Sequence, residues 1–176
     1  MNAIHAGIWY TLGPTIAKDT IGERGWGLVL SAEAAGFFVM SLVLLKLTLR
    51  YPLRAGMLCM VAAVLQMLAL GLSPQLVVLV AGATIAGACI EVFGVGWSTA
   101  LHEHVPEEMM SRVFSYDALG SFVAIPIGQL LAGPAAHLLG VRTVIVGGAV
   151  LYALIGLSTL LSRSVRDLER VHADAG

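Results

Sequence analysis

Six long apolar runs, separated by short polar turns, constrain the fold of this chain more than any other feature. The runs cover residues 1–17, 25–47, 53–72, 75–101, 112–139 and 141–161. A helix needs about 20 mostly apolar residues to cross a bilayer, and the first run is at the lower end of that range. Pro52, Pro74, Pro106 and Gly140 mark breaks between runs, and turns this short make neighbouring helices antiparallel. The pattern predicts an all-α integral membrane domain over residues 1–162, in which the first helix is short or truncated.

The composition indicates the same class of protein. Apolar residues make up 58% of the 176 residues and charged residues only 12%, whereas soluble domains have about half and about a quarter. A globule of this size could not bury so much apolar surface, so most of it must face lipid. The net charge of −1 gives no indication of nucleic-acid binding. Cys59 and Cys89 both lie in apolar runs, and no metal, nucleotide or catalytic motif is present, so we expect neither an enzyme nor a cofactor.

Lysine and arginine are distributed unequally between the two sets of helix ends. One set has Lys18, Arg24 and Arg142, and the other has Lys46, Arg50, Arg54, Arg112, Arg163, Arg166 and Arg170. Because basic residues favour the cytoplasmic side, we expect a multi-pass protein of the cell membrane with a cytoplasmic tail over residues 163–176. The tail arginines recur at helical spacing, which fits either a frayed helix end near anionic headgroups or a specific docking role. No lysine or arginine precedes Lys18, so a cleavable signal peptide is not expected.

Carboxylates inside the apolar runs are the main candidates for function. Glu91 is near the middle of the fourth run, on a helical stripe of small and polar residues: Ala83, Gly87, Glu91, Gly94 and Ser98. A charge at the centre of a membrane helix costs about 2.5–3.5 kcal/mol on insertion scales, so such an acid is a functional hypothesis by default. The alternative is a protonated Glu91 that is hydrogen-bonded to a neighbouring helix. The small residues predict close helix packing at Gly87 and Gly94.

The second and fifth runs add one acid each. A rise of about 1.5 Å per residue puts Glu33 about 12 Å from the outer end of its helix and Asp117 about 8 Å from the inner end of its own. With Glu91 between them, the three acids form a graded path that is suited to protons, although water or headgroups could also explain Glu33 and Asp117. The fifth run continues the pattern with the stripe Asp117, Ser121, Ala124, Gly128 and Ala132, with Gly120 beside it. Pro126 lies in mid-run and is expected to kink or loosen the helix, which makes Gly120, Pro126 and Gly128 candidates for packing or gating.

Isolated polar residues have less specific explanations. Gln66 and His5 each lie in an apolar run, and we interpret both as interhelical hydrogen-bonding groups rather than substrate contacts. Arg112 follows Glu108 by four residues. The pair is either a cytoplasmic gate or a surface pair, the latter worth only about 0.2–0.5 kcal/mol.

The tripeptide His102-Glu103-His104 looks like a metal site at first. Residues two apart on a helix face different directions, so one ion would need a loop conformation and further ligands. We therefore interpret residues 102–111 as an interfacial loop without a metal.

Several motifs, taken in order, resemble the C-terminal half of a major facilitator superfamily transporter. The resemblance is to the branch that includes enterobactin-exporter-like and macrolide-efflux-like proteins, and it extends to about Arg166. The matching stretches are residues 12–14 (Leu-Gly-Pro), 26–32 (Trp-Gly-Leu-Val-Leu-Ser-Ala), 91–94, 97–101, 105–106, 111–113, 115–117, 126–128 and 133–134.

The resemblance implies a six-helix half of a larger bundle, corresponding to the family's seventh to twelfth helices. It further implies alternating access, in which two halves rock around a substrate site near mid-membrane. Such an exporter would exchange protons for small hydrophobic or amphipathic compounds, with Glu91 as the first candidate for the coupling acid and Glu33 as the second. The implied partners are the lipid bilayer, the substrate, and an N-terminal six-helix half or a second copy of the chain. Because the family's first half is missing, a transport-inactive fragment or an assembly subunit is the alternative.

Overall fold

The computed structural model describes residues 1–170, and over that range the chain forms helices and no β-strand. Helix α1 consists of three contiguous stretches, Asn2–Ala6, Gly7–Leu12 and Gly13–Thr20, of which the middle one has π-helical hydrogen bonding. The remaining long helices are α2 (Gly22–Leu44), α3 (Pro52–Leu72), α4 (Leu76–His104), α5 (Glu107–Leu139) and α6 (Val141–Thr159). A short helix, α7 (Arg163–Arg166), follows. The all-α membrane fold class predicted from the sequence is confirmed, and the predicted tail beyond residue 170 lies outside the described residues.

Five helices of the described range, α2 to α6, are long and apolar enough to cross a membrane. Helix α1 covers the predicted first run, but it starts beside the middle of α5, where the Asn2 amide donates to the Ser121 hydroxyl at 3.0 Å. It then continues in the same direction as α5, with Gly7 against the backbone of Gly128. Helix α1 therefore packs along the second half of α5 only.

The turn between α1 and α2 is tighter than predicted. The polar separator expected over residues 18–24 is largely helical, because α1 continues to Thr20 and α2 begins at Gly22. Gly22 has a φ of 73°, a left-handed conformation that glycine adopts without steric cost. Gly140, with a φ of 86°, reverses the chain between α5 and α6 in the same way.

The interfacial loop predicted over residues 102–111 is wrong in its extent. Helix α4 continues through His104 and α5 already begins at Glu107. Only Val105 and Pro106 separate them, with ψ values of 127° and 140°. Proline disfavours the helical conformation at the residue before it and favours the start of a helix after it, and here Val105 is extended, so two residues are enough for the break.

Helix α3 lies at the centre of the bundle. In its most apolar 18-residue stretch, 44% of the residues are buried, the largest fraction among the five long helices. Gln66, Met67 and Leu70 on this helix are fully buried. They belong to a core that includes Leu79 of α4 and Ile145 of α6. The core thus joins α3 to helices on both sides.

Helices α2 and α5 expose most of their apolar surface. In their most apolar 18-residue stretches, only 11% of the residues of α2 and 6% of those of α5 are buried. The large apolar side chains exposed on them include Leu28, Phe37, Phe38, Val39 and Leu42 of α2, and Leu119, Phe122, Val123, Ile127 and Leu130 of α5. Apolar surface of this extent requires lipid or another helical unit against it.

Small residues allow the closest helix crossings. At the α2–α4 crossing, a Cβ atom on Gly36 would overlap the carbonyl oxygen of Thr84, and one on Gly87 would overlap that of Glu33. At the α1–α5 crossing, Gly128 lies in the same way against the carbonyl of Ala3. Close backbone approach through small residues is how membrane helices associate, because lipid competes with side chains for apolar contacts.

Candidate functional site

Glu33 of α2 is held by a buried tryptophan of α1. The Trp9 indole N–H donates to Glu33 Oε2 at 2.7 Å, and the Trp9 side chain is fully buried. Glu33 also lines an open cleft of about 460 Å³ with Tyr10, Phe37 and Gly87. The carboxyl group is therefore fixed on one side by the indole and accessible from the cleft on the other.

Glu91 of α4 has its hydrogen-bond partner on α2. The Ser41 hydroxyl donates to Glu91 Oε1 at 2.7 Å, and both side chains are half-buried. The contact joins two helices that run side by side, as expected for an acid on a helix-packing stripe.

Asp117 of α5 is the most accessible of the three acids. The Trp97 indole N–H donates to Asp117 Oδ2 at 3.3 Å, and this contact joins α4 to α5. Asp117 lines a cleft of about 440 Å³ with Tyr116, Asn2 and Ser121.

The three acids follow one another along α4. Asp117 is level with Trp97, Glu91 belongs to α4 itself, and Glu33 is level with Gly87. Ten residues of helix separate the two outer levels, a distance of about 15 Å. All three accept hydrogen bonds from uncharged donors, and the ion pairs found within residues 1–170 do not include any of them.

Gln66 and His5 form a buried polar contact between α3 and α1. The Gln66 side chain is 0% exposed, and its Nε2 lies 3.0 Å from His5 Nε2. The same amide is close to the Glu33 carboxylate. Gln66 Oε1 is buried and has no hydrogen-bond partner among the described residues. The interpretation of Gln66 and His5 as interhelical hydrogen-bonding groups is confirmed, and they are partners of each other.

The glycine candidates occupy two kinds of environment. Gly87 and Gly128 lie at the close crossings of α2 with α4 and of α1 with α5. At Gly94 the nearest atom to an added Cβ would be a carboxylate oxygen of its own helix at 4.0 Å, and around Gly120 nothing lies within 4 Å. The first two pack helices within this bundle, whereas the surroundings of the other two are open.

The remaining candidates on α5 are exposed. Pro126 and Pro134 both lie inside α5, which is continuous through them. Arg112 and Glu108 are exposed, and the ion pairs of the described range do not join them. Their role as a gate stays a prediction.

The two histidines at the end of α4 bond to their own helix. His102 Nδ1 lies 2.8 Å from the carbonyl oxygen of Ser98, and His104 Nδ1 lies 3.1 Å from that of Ala100. In each case the imidazole N–H donates to the carbonyl. In the described part of the chain, no three His, Cys, Asp or Glu residues are placed to share a metal ion.

The tail docks onto the helix ends near it. Arg170 Nε lies 3.3 Å from Glu103 Oε1, and the Arg170 backbone N–H donates to the carbonyl of Arg50 at 3.0 Å. Glu169 accepts from the Tyr51 hydroxyl at 2.6 Å and pairs with Arg50 at 3.2 Å. The Tyr51 hydroxyl and the Arg50 guanidinium hold the pKa of Glu169 below its ordinary value. Of the two interpretations of the tail, the contacts support docking.

Trp9 was missed by reasoning from the sequence, although a usable signal was present. In an antiparallel helix pair, residues equally distant from the turn are level with each other. Trp9 and Glu33 are equally distant from Ile21, where α1 turns into α2. An indole N–H level with an intramembrane acid is a natural hydrogen-bond donor for it.

The chain belongs to the Major Facilitator Superfamily, whose profile matches residues 1–175. It is therefore a multi-pass membrane protein of a transporter superfamily. Among curated proteins it is similar to "Uncharacterized MFS-type transporter YvqJ" of Bacillus subtilis (strain 168), with 26% identity over 159 residues. That alignment covers 88% of this chain but only 37% of the relative. No solved structure matches the chain.

Proposed function

We propose that this chain acts as the C-terminal half of a proton-coupled exporter of small hydrophobic or amphipathic compounds. The narrower likeness to enterobactin-exporter-like and macrolide-efflux-like proteins belongs to this proposal. The second unit is an N-terminal six-helix half or a second copy of the chain, and the two halves rock around a site near mid-membrane. The protein lies in the cell membrane with its tail in the cytoplasm.

The observation that carries the proposal is the way the three acids are held. Glu33, Glu91 and Asp117 each accept a hydrogen bond from an indole or a hydroxyl. An acid held by a neutral donor can gain or lose a proton without breaking an ion pair. This is what an exchanging proton site requires, and it favours Glu91 and then Glu33 as coupling acids.

The exposed faces of α2 and α5 support a second helical unit as partner. These helices expose large apolar side chains, and the clefts at Glu33 and Asp117 open beside them. A partner that covers the faces would close the clefts into a shared path. On α5, Gly120, Pro126 and Arg112 would then lie at moving contacts, which is the gating role proposed for them.

The test is proton-driven transport by the chain with a partner half. The chain is reconstituted into proteoliposomes alone and together with the N-terminal half of a related transporter, and export of a fluorescent lipophilic dye is followed after a pH jump. We expect transport only when both halves are present. Glu91→Gln is expected to abolish it while leaving insertion intact.

Glu23→Gln is the matched control, since Glu23 is an exposed acid in the first turn of α2. It should transport as the unmodified chain does. Normal transport by Glu91→Gln would exclude Glu91 as the coupling acid. Equal transport with and without a pH gradient would exclude proton coupling altogether.

A transport-inactive fragment or assembly subunit is the second candidate. The observation that favours it is that the chain covers 37% of the length of its relative. An adjacent reading frame that encodes six further spans would favour the half-transporter. Crosslinking in membranes that yields monomers only would exclude the version in which two copies of this chain form the transporter.

A further inference from the structure

The amide of Gln66 combines full burial with an unused acceptor. Its side chain is 0% exposed, its nitrogen contacts His5 and its oxygen has no partner among the described residues. A buried acceptor without a donor is destabilising, and most native structures avoid it. A group held in this way indicates that a donor is present in another state of the site.

The neighbours of Gln66 are both acceptors in this arrangement. An amide nitrogen only donates, so His5 Nε2, at 3.0 Å, must carry a lone pair. His5 is then neutral, with its proton on Nδ1. The same amide is close to the Glu33 carboxylate. The site as it stands holds a neutral imidazole and a carboxylate close to one amide donor.

An added proton would turn one of these hydrogen-bond acceptors into a donor. Protonation of Glu33 creates an O–H donor, and protonation of His5 creates an Nε2–H donor. Either donor needs an acceptor, and Gln66 Oε1, which has no partner among the described residues, can supply one. Rotation of the amide by half a turn brings its oxygen to the position of its nitrogen. There the oxygen can accept from the Glu33 O–H, and from His5 once the imidazole proton is on Nε2.

We propose that Glu33, Gln66 and His5 form a binding site for a single proton, in which the Gln66 amide rotates when the proton arrives. The proton enters from water in the cleft onto the carboxylate of Glu33, and the rotated amide oxygen accepts from the new O–H. His5 then releases its proton from Nδ1 and takes one up at Nε2, so the net uptake of the site is one proton. No bond other than O–H or N–H forms or breaks. The Trp9 indole, at 2.7 Å from Glu33 Oε2, holds the carboxyl group in place throughout.

The groups that face the site from the neighbouring helices decide how many protons it can hold. On α1, Tyr10 lies in the cleft beside Glu33 and its ring meets that of His5 edge-on at 5.7 Å. From α6, the ring of Tyr152 lies 6.4 Å from that of His5, and its hydroxyl donates to the sulfur of a methionine on α3.

From α4, the residues in the Glu33 cleft are Gly87 and Ile90, which cannot ionise. Helix α5 meets α1 through Gly128 and Ala132 against Gly7. The first proton therefore neutralises the negative charge of Glu33, which is half-buried. A second would leave an unpaired positive charge in the bundle, which is strongly unfavourable.

The use of this proton in transport rests on the proposed function, but its binding does not. The test is therefore spectroscopic, on the full chain in lipid nanodiscs. Histidine labelled with ¹⁵N reports the tautomer of His5, assigned by the signal lost in His5→Phe. Infrared difference spectra report protonated carboxyl groups, assigned to Glu33 by Glu33→Gln.

At high pH, unmodified protein should show His5 as the Nδ1–H tautomer. As the pH falls, one proton should be taken up, with linked changes in the His5 and Glu33 signals. In Gln66→Met, which keeps the length of the side chain without its amide, the link and the uniform tautomer should be lost. Gln129→Leu removes an amide from α5, outside the site, and should change neither signal.

Three results would overturn the proposal. The first is a His5 signal from the Nε2–H tautomer in unmodified protein at high pH, a result that needs no variant to fold. The second is identical titration of His5 in unmodified protein, Gln66→Met and Gln129→Leu. The third is uptake of two protons in the linked step. Linked titration in a protein that does not transport would instead refute the proposed function and leave the proton site standing.

Discussion

Substitution of Gly87 by alanine is the sharpest test of how this bundle is packed. Gly87 lies where α4 crosses α2, and both helices supply backbone rather than side chain at the contact. An added Cβ would overlap the carbonyl oxygen of Glu33, and would lie 2.9 Å from the carbonyl carbon of Glu33 and 3.1 Å from the backbone nitrogen of Phe37. Backbone atoms inside helices cannot rotate away, so the two helices must separate.

The size of the effect follows from these distances. Ordinary contact begins at 3.4 Å, so the carbonyl carbon alone is about 0.5 Å too close. A gap of about 0.5–1 Å forfeits a quarter to a half of the dispersion energy of each contact across it. Overpacking of this kind costs about 1–3 kcal/mol, which corresponds to a fall in Tm of about 2–12 °C for a chain of this size.

The two free cysteines provide the assay. Cys59 on α3 and Cys89 on α4 are packed in one cluster between the helices. A thiol-reactive fluorophore in detergent solution therefore reports thermal unfolding. Gly147→Ala is the matched control, because nothing lies within 4 Å of an added Cβ there. Alanine should be neutral or slightly stabilising at that position, since it is the better helix former.

The double variant sharpens the test further. Gly36 lies at the same crossing, against the carbonyl of Thr84. Once one added methyl has separated the helices, a second should cost less, so Gly36→Ala with Gly87→Ala should be less destabilising than the sum of the single changes. The reasoning fails if Gly87→Ala melts at the same temperature as Gly147→Ala.

Three further predictions concern the hydrogen bonds of the site and the tail. Trp9→Phe removes the donor at 2.7 Å from Glu33 and keeps an aromatic ring, so we expect a loss of about 1–3 kcal/mol in the thermal assay. Glu169→Gln removes the charge that accepts from Tyr51, so tryptic cleavage after Arg166 should become faster. The pKa of Glu169 is lowered by the Tyr51 hydroxyl, so the docked tail should persist above the ordinary pKa of a glutamate and release as the pH falls through the lowered value. The mobility of a spin label on the tail measures that release.

Each of these has a control with the same chemistry. Trp97→Phe removes a longer bond, 3.3 Å to the exposed Asp117, and should cost less than Trp9→Phe. Asp167 pairs with the adjacent Arg166 and not with the helix ends, so Asp167→Asn should leave the mobility of a spin label on the tail unchanged, whereas Glu169→Gln should raise it. Equal effects of the two tail variants would contradict a docking role for Glu169, and spin-label mobility that does not change with pH would contradict the pKa argument.

The helices were predictable because each depends on its own segment. A run of about 20 apolar residues forms a membrane helix wherever it occurs, since every backbone group must be satisfied within the segment. The positions of Pro52 and Gly140 marked helix ends correctly. The loop predicted over residues 102–111 is too long because polar residues do not by themselves end a helix, and His102 and His104 continue α4 toward the interface.

The partners of the acids were not predictable in the same way. Ser41 and Glu91 are 50 residues apart in the sequence, and His5 and Gln66 are 61 apart. Which polar residues meet depends on the rotation and offset of two helices, and small residues set these by allowing close approach. Trp9 and Glu33 are the exception, because a short turn makes their levels calculable.

The sequence by itself determined that this is an all-α membrane protein, which segments form its long helices and which acids lie inside them. Those properties come from the length and polarity of single segments. Tertiary structure alone decided that Glu33 shares a site with Gln66 and His5, and that the tail docks on Glu103. The physical reason is that hydrogen bonds act over about 3 Å, so they form only between residues that helix packing has already brought together.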